Sequence, residues 1–348
     1  PKIIVDPTPF EWSPALLAES ARAWSGMGER EVQLVVGPFY HNLPFSWAHL
    51  GLFLDHHLVV MERFDAARAL DLVERHRVTF VPLVPTMMRR MLLVPDVHQR
   101  DLSSLKAVFH TAAPCPEPVK RGWIELVGPE RVYELYGATE ATGTCMIRGD
   151  EWLAHPGSVG RPSADTEVRI LDESRRDVPV GEVGEVFMRR LSGVATYRYV
   201  GSPPAATTDE GFVSVGDLGR LDADGYLYLA DRRADLVITG GANVYPAEVE
   251  AALIAHPGVL DVVVIGLPSE EWGRSVHAVV QPVDPAAPPS EEDLARHCRE
   301  RLTPYKVPKS FELVAELPRN EAGKVRRSAL AAERATPAVG STPPVPST

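Results

Sequence analysis

Short apolar runs and helical stripes alternate along the first part of the chain. Residues 32–36, 78–84 and 105–109 read as buried strands, and Phe64, Ala67, Leu70 and Leu72 or Val73 put an apolar stripe at helical spacing on 64–76. Pro85-Thr86 predicts a helix entry before 87–93, and 119–126 predicts a further helix. Pro82 argues against a central place for its strand, because proline cannot donate to a ladder. Strands alternating with helices build a sheet with helices packed on it.

From residue 152 the texture changes to short strands at 167–171, 184–189, 211–215 and 225–229, separated by Gly, Pro and Asp turns. That spacing predicts a small antiparallel or β-barrel-like region. Beyond residue 232 come a helix at 246–254, strands at 259–265 and 275–281, and an acidic-start helix at 291–301. A surface loop at 284–290 carries three prolines. The fold class is α/β: a partial large N-terminal domain followed by a small mobile α+β C-terminal domain. The expected divisions are 1–150 (α/β), 151–231 (β-rich), 232–335 (C-terminal lid) and 336–348. The last stretch is rich in Pro, Ser, Thr and Ala and reads as a flexible tail. There is no internal repeat.

Composition narrows the function classes. The 348 residues, 45% hydrophobic and 24% charged, are ordinary for a globular chain of two or three domains. A net charge of -11 with no basic patch argues against nucleic-acid binding, which needs clustered Lys and Arg. Cys115, Cys145 and Cys298 are too few and too far apart for a disulfide framework or zinc site, so a reducing, cytoplasmic setting fits best. No apolar run is long enough to span a bilayer, which leaves peripheral lipid contact and self-association open.

The densest chemistry lies at 217–246, a strand-turn-strand frame bearing Asp217, Arg232 and the pair Gly240-Gly241. A carboxylate such as Asp217 can accept from both hydroxyls of a ribose, and Arg232 can reach the same sugar or its phosphate from the next strand. A polar hairpin would show the same Asp224-Gly225 turn.

A second constellation, Tyr133-Glu-Leu-Tyr136-Gly137-Ala-Thr139-Glu140, ends a strand in a glycine turn. Thr139 can donate to a phosphate oxygen, Glu140 offers the hard oxygen that Mg²⁺ prefers, and Tyr136 presents an aromatic face to a purine. The same Thr-Glu pair also suits a helix start. The third, Pro318 followed by Gly323-Lys324, places a lysine on a turn-rich segment. Such a point charge can be swung against an α-phosphate as negative charge builds. By itself the segment equally suits a solvated basic run.

With these blocks in this order, the chain resembles the adenylate-forming superfamily of acyl-CoA synthetases, luciferases and peptide-synthetase adenylation domains over about residues 1 to 330. The match rests on Tyr136-Gly-Ala-Thr-Glu140, Gly216-Asp217, Asp231-Arg232, the 240–246 loop and the stretch from Pro318 to Lys324. Lesser matches are Pro38-Phe-Tyr-His41, Thr111-Ala112-Ala113-Pro114 and Gly157-Ser-Val-Gly160. The resemblance implies an ATP-dependent ligase. An acid attacks the α-phosphate of ATP, giving an acyl-adenylate and pyrophosphate, and a thiol, commonly that of CoA, then displaces AMP.

Carried over by residue, Lys324, Thr139 and Glu140 are catalytic, with Glu140 on Mg²⁺. Ala112, Ala113, Pro114, Tyr136, Gly137, Asp217 and Arg232 bind the nucleotide, and His41 borders the acyl pocket. Gly240, Gly241, Asn243 and Tyr245 face the thiol, and Arg233, Ala234 and Asp235 form the hinge of a domain rotation between the two steps.

Two departures stand out. Only Pro1-Lys2 could match the end of the family's Ser/Thr/Gly-rich phosphate loop, so the chain is expected to be an N-terminally truncated fragment that adenylates poorly alone. Ala234 stands where the family often has Asp or Lys. The wording from His110 to Pro116, with Trp152, is similar to the bile-acid, steroid-acid and fatty-acid CoA ligase branch, which implies a bulky lipid-like acid. Ala112 and Ala113 would leave it room, though small residues at a turn are also ordinary packing. Two rivals remain: loading of a carrier protein in place of CoA, and a non-catalytic nucleotide-binding remnant.

Overall fold

The computed structural model describes residues 3–5, 21, 25–192, 198–200, 204–320 and 323–335. The stretch 336–348, expected to be a flexible tail, and Pro1-Lys2, expected to match the end of a phosphate loop, lie outside them. The chain divides into two compact units. The first is Pro1–Ala234 with Arg319–Lys324, and the second is Asp235–Pro318 with the residues from Val325 on.

The first unit is built on two main sheets. In the seven-stranded sheet the order is His57–Val60, Val32–Val35, Phe80–Leu83, Ala107–His110, Val132–Gly137, Thr144–Arg148, Arg161–Pro162. The first five strands run parallel, Thr144–Arg148 runs against them, and Arg161–Pro162 pairs antiparallel with Thr144–Arg148. Helices Ala66–His76, Pro85–Leu92 and Glu117–Val127 follow the apolar stripes of the sequence, and Asp65 caps the first by accepting from the Arg68 N–H.

The expectation about Pro82 is corrected, since Phe80–Leu83 lies inside the sheet. Its ladder to Val32–Val35 registers only at Gln33 opposite Phe80, two residues short of Pro82, so the proline interrupts no double-sided ladder. The core on this strand is aromatic: Phe80 and Phe109 are buried, with Trp47 4.3 Å from Phe109 between ring centroids.

The β-rich stretch forms a six-stranded antiparallel sheet. Its ladders trace an open path among the described residues. Strand Gly184–Arg190 pairs along Thr166–Leu171 on one side and with Val213–Ser214 and Asp217–Leu221 on the other.

The second unit is α+β. Its three-stranded sheet comprises Val259–Ser269, Gly273–Pro282 and Ser310–Leu313, the last pair parallel. Helices Pro246–Ile254, Glu291–Arg299 and Arg327–Ala335 accompany it, and Val263, Ile265, Val279, Leu317 and Leu330 share one core. Ser290 caps the acidic-start helix through the Asp293 N–H, and that helix's acidic first turn and basic last turn suit its dipole. Among the described residues no helix is long and apolar enough to cross a membrane. Cys115, Cys145 and Cys298 are all free thiols.

Candidate active site

Asp217 opens strand Asp217–Leu221 and Arg232 closes Leu227–Arg232, and the antiparallel register sets them opposite each other. The turn sets the register of the first pairs, Leu221 with Leu227 to Gly219 with Leu229: Asp222 Oδ1 accepts from the N–H groups of Asp224 and Tyr226, and its carbonyl accepts from Gly225. A one-residue register shift between Leu218 and Gly219 then brings Arg232 opposite Asp217.

Asp217 is buried, at 8% exposure. Its Oδ1 lies 3.3 Å from Arg232 Nε, and its Oδ2 accepts a 2.7 Å hydrogen bond from the Tyr136 hydroxyl. Tyr136 arrives from the other sheet, on strand Val132–Gly137. A carboxylate has about four acceptor positions, so these contacts leave room for sugar hydroxyls. Burial, then the Asp217 charge, raises the Tyr136 pKa, so the phenol remains a donor.

The loop at 111–114 is tied to the strand of Tyr136 by a 2.6 Å hydrogen bond from Thr111 Oγ1 to the Leu135 carbonyl. Ala112 holds the left-handed region at φ 78°, which costs a non-glycine residue about 1–2 kcal/mol. Ala112, Ala113 and Pro114 are exposed. Strained residues of this kind gather at ligand sites.

Thr139 and Glu140 occupy the turn between Val132–Gly137 and Thr144–Arg148, closed by the Ala141 N–H on the Ala138 carbonyl at 2.9 Å. No helix starts here, so the pair caps nothing; Thr139 is exposed. His41 stands at the N-cap of helix Asn42–Phe53 without capping it. Its pKa is lowered by burial and then by the positive charge of Lys324.

Segment Arg319–Lys324 clusters with the first unit. The Lys324 N–H donates to Asn320 Oδ1 at 2.9 Å, and the Asn320 N–H to the Lys324 carbonyl at 3.0 Å. A Cβ on Gly323, which holds φ 71°, would stand 2.6 Å from Thr86 Oγ1, so any other residue is strained there and must displace the Thr86 side chain. Lys324 keeps an open surface, yet the protein around its ammonium, and then Arg232, hold its pKa below the ordinary lysine range; Glu140 opposes them. Contacts and charges thus link Tyr136, Asp217, Arg232, Lys324, Glu140 and His41 in one neighbourhood.

In the second unit, Gly240 and Gly241, at φ 53° and 80°, join Val237–Thr239 to Ala242–Val244 in the tight turn that needs positive φ at both positions. The Gly240 N–H donates to the Trp272 carbonyl at 3.0 Å, and a Cβ there would stand 2.8 Å from the Trp272 ring. Asn243 is exposed, and Tyr245 is the N-cap of helix Pro246–Ile254. Arg233, Ala234 and Asp235 form a single 3₁₀ turn containing the unit boundary. Arg233 pairs with Glu185 at 3.1 Å in the first unit, and Asp235 with Arg327 at 3.0 Å in the second.

Sequence reasoning missed Arg327 and a buried group behind the Tyr136 strand. Lys120, 0% exposed, bonds Glu134 at 2.5 Å and lies 5.0 Å from the Trp152 ring centroid. The fully buried His110 lies 3.9 Å from the same carboxylate. A signal was present: Lys120 sits inside the apolar stripe of Val119, Trp123, Ile124 and Val127.

Among the described residues no three His, Cys, Asp or Glu cluster to hold a metal. Glu140 beside the Thr139 hydroxyl fits Mg²⁺ brought by a nucleotide, since that ion is usually held by one or two carboxylates plus substrate phosphates.

Comparison with known proteins shows the family. Residues 14–198 match the model of the AMP-binding enzymes, and residues 248–324 that of the AMP-binding enzyme C-terminal domain. The chain belongs to the AMP-binding enzyme family. This AMP-binding chain is 31% identical to a fatty acid–[acyl-carrier-protein] ligase, ScoC, of Streptomyces coeruleorubidus, over 90% of the chain and 61% of the relative. It is 32% identical to a long-chain-fatty-acid–CoA ligase of Bacillus subtilis, over 90% of the chain and 57% of the relative. Among solved structures, the o-succinylbenzoate coenzyme A synthetase of Bacillus subtilis in complex with ATP and magnesium ion superposes with a TM-score of 0.76 at 30% identity, covering 91% of this chain and 64% of that one. The chain spans about 60% of the length of the curated relatives it matches.

Proposed function

We propose that the protein carrying this chain is an AMP-forming acid–CoA ligase acting on a bulky, lipid-like carboxylic acid. The observation that carries this reading is the Asp217 carboxylate, held by Tyr136 on one oxygen and Arg232 on the other, with Lys324 close enough to feel Arg232. Asp217 and Arg232 take the ribose hydroxyls, Tyr136 lies along the purine, and Ala112, Ala113, Pro114 and Gly137 border it. Lys324 holds the acid against the α-phosphate and stabilises the charge that builds there, while the pentavalent phosphorus forms a bond to the acid and releases pyrophosphate. Thr139 and Glu140 face the phosphates, where Mg²⁺ held by Glu140 would neutralise their charge.

His41 borders the acid. Lowered below its usual pKa, it stays neutral at physiological pH and adds no charge beside an apolar group. The hairpin bearing Gly240, Gly241, Asn243 and Tyr245 serves the thiol step, and Arg233, Ala234 and Asp235 serve as the hinge. The fatty-acid ligase of Bacillus subtilis among the relatives supports the lipid-like acid and CoA as acceptor. A second reading, transfer to a carrier protein, is favoured by the similarity to ScoC.

The test is acid-dependent exchange of labelled pyrophosphate into ATP, followed by thioester formation with CoA and with a phosphopantetheinylated carrier protein. Exchange with fatty or polycyclic acids and a CoA thioester product support the reading. Exchange that ignores added acid overturns it.

A further inference from the structure

The chain passes from the first unit to the second after Ala234 and again after Lys324. Three residues beyond Arg232 stands Asp235, and three beyond Lys324 stands Arg327. These two residues, 92 apart in sequence, are bonded: Arg327 Nη1 donates to Asp235 Oδ2 at 3.0 Å. Arg327 Nη2 contacts both oxygens of Glu250 at 2.8 Å. Glu250 Oε1 in turn accepts from the Val264 N–H at 2.8 Å, which ties the group to strand Val259–Ser269. The three side chains are 25%, 22% and 18% exposed for Arg327, Asp235 and Glu250, so the triad is largely shielded from water.

We propose that Arg327 is a positioning residue: through Asp235 and Glu250 it fastens together the two chain crossings that follow Arg232 and Lys324, and so sets where Lys324 can reach. The inference rests on the functional reading above. Three residues span at most about 10 Å, so with the clamp closed Lys324 is leashed to a fixed point that is also the leash of Arg232. With the clamp open, the direct tie between the two crossings is lost, and the Lys324 segment keeps only its looser packing against the first unit, as at Gly323 and Thr86. A displacement of about 1 Å at a reacting centre can cost about a hundredfold in rate. The guanidinium fork matters as well as its charge, because lysine cannot hold two carboxylates in one plane.

The experiment uses the protein that carries this chain, with Asp235→Asn, Arg327→Lys, their double variant and Lys324→Ala. Asp235→Asn leaves the Arg327–Glu250 fork intact and opens only the crossing tie, so it is the variant that keeps the fold. Two rates are read: acid-dependent pyrophosphate exchange, and transfer from supplied acyl-adenylate to CoA, a step that does not use Lys324. Asp235→Asn and Arg327→Lys are each expected to lower the exchange kcat about ten- to hundredfold, with KM for ATP and the transfer rate within about threefold. The double variant is expected to be no worse than the worse single one. Unchanged exchange in Asp235→Asn, losses that multiply in the double variant, or an equal fall in exchange and transfer overturns the clamp. If wild type shows no exchange, or Lys324→Ala keeps it, the functional reading itself fails and the clamp with it. If Lys324→Ala abolishes exchange while Asp235→Asn does not, the clamp alone fails.

Discussion

Asp217 and Arg232 face each other across adjacent antiparallel strands, and the carboxylate between them is shared with Tyr136 from a different sheet. One buried acid thus joins two layers of the first unit while keeping lone pairs for a ligand. Its ion pair with Arg232 adds little to stability, because the Arg232 side chain is 66% exposed and screened by water. The pair is better explained by a ligand than by the fold.

Asp217→Asn is accordingly expected to weaken AMP binding about ten- to hundredfold, the worth of about 1.5–3 kcal/mol for charge-assisted hydrogen bonds. Titration calorimetry with AMP measures it. Tyr136→Phe removes one donor and leaves the carboxylate to the ligand and Arg232, so its loss should be smaller. A larger loss in Tyr136→Phe than in Asp217→Asn would show that the phenol, and not the carboxylate, dominates AMP binding.

Lys120→Met should destabilise the first unit by about 3–5 kcal/mol, because it strands Glu134 without its buried partner. Replacing both members, Lys120→Met with Glu134→Leu, should restore most of that loss. Chemical denaturation of the two variants beside wild type reads both numbers, and equal losses in the single and double variants would refute the pairing.

His110 sets a pH dependence. Burial holds its imidazole down to about 4, with Glu134 opposing and Lys120 assisting, against an ordinary 6.5. The unfolded chain therefore binds this proton more readily than the folded one. The stabilisation is complete above about pH 6.5 and is lost as pH falls toward 4, by an amount on the order of 3 kcal/mol. Urea midpoints between pH 7 and 4 should fall more steeply for wild type than for His110→Gln; identical slopes would exclude His110 as the cause.

Much of the site was legible because its chemistry is local. Asp217 and Arg232 lie on one hairpin with a recognisable turn, though the one-residue shift that sets them opposite each other was not legible, and Tyr136, Thr139 and Glu140 follow one another off a strand end. Helix starts were legible where a proline marks them, as at Pro85 and Pro246, whereas the Asp65 cap, which starts its helix at Ala66 and not at Phe64, was not read. What stayed hidden depends on distant partners. Lys120 meets Glu134 only once a helix and a strand pack, and Arg327 meets Asp235 across 92 residues. Pro82 misled for a related reason: its tolerance depends on where the neighbouring ladder stops, which its own strand does not encode.

The central claim is that the neighbourhood of Asp217, Tyr136, Arg232 and Lys324 forms an acyl-adenylate. Its most direct measurement is acid-dependent ATP–pyrophosphate exchange by Lys324→Ala beside wild type, with AMP affinity taken on the same samples. The expected result is a loss of about a hundredfold or more in exchange, with AMP binding within about threefold of wild type, because Lys324 acts on the charge of the transition state while Asp217 and Arg232 hold the sugar. Exchange left at the wild-type rate in Lys324→Ala would contradict the account.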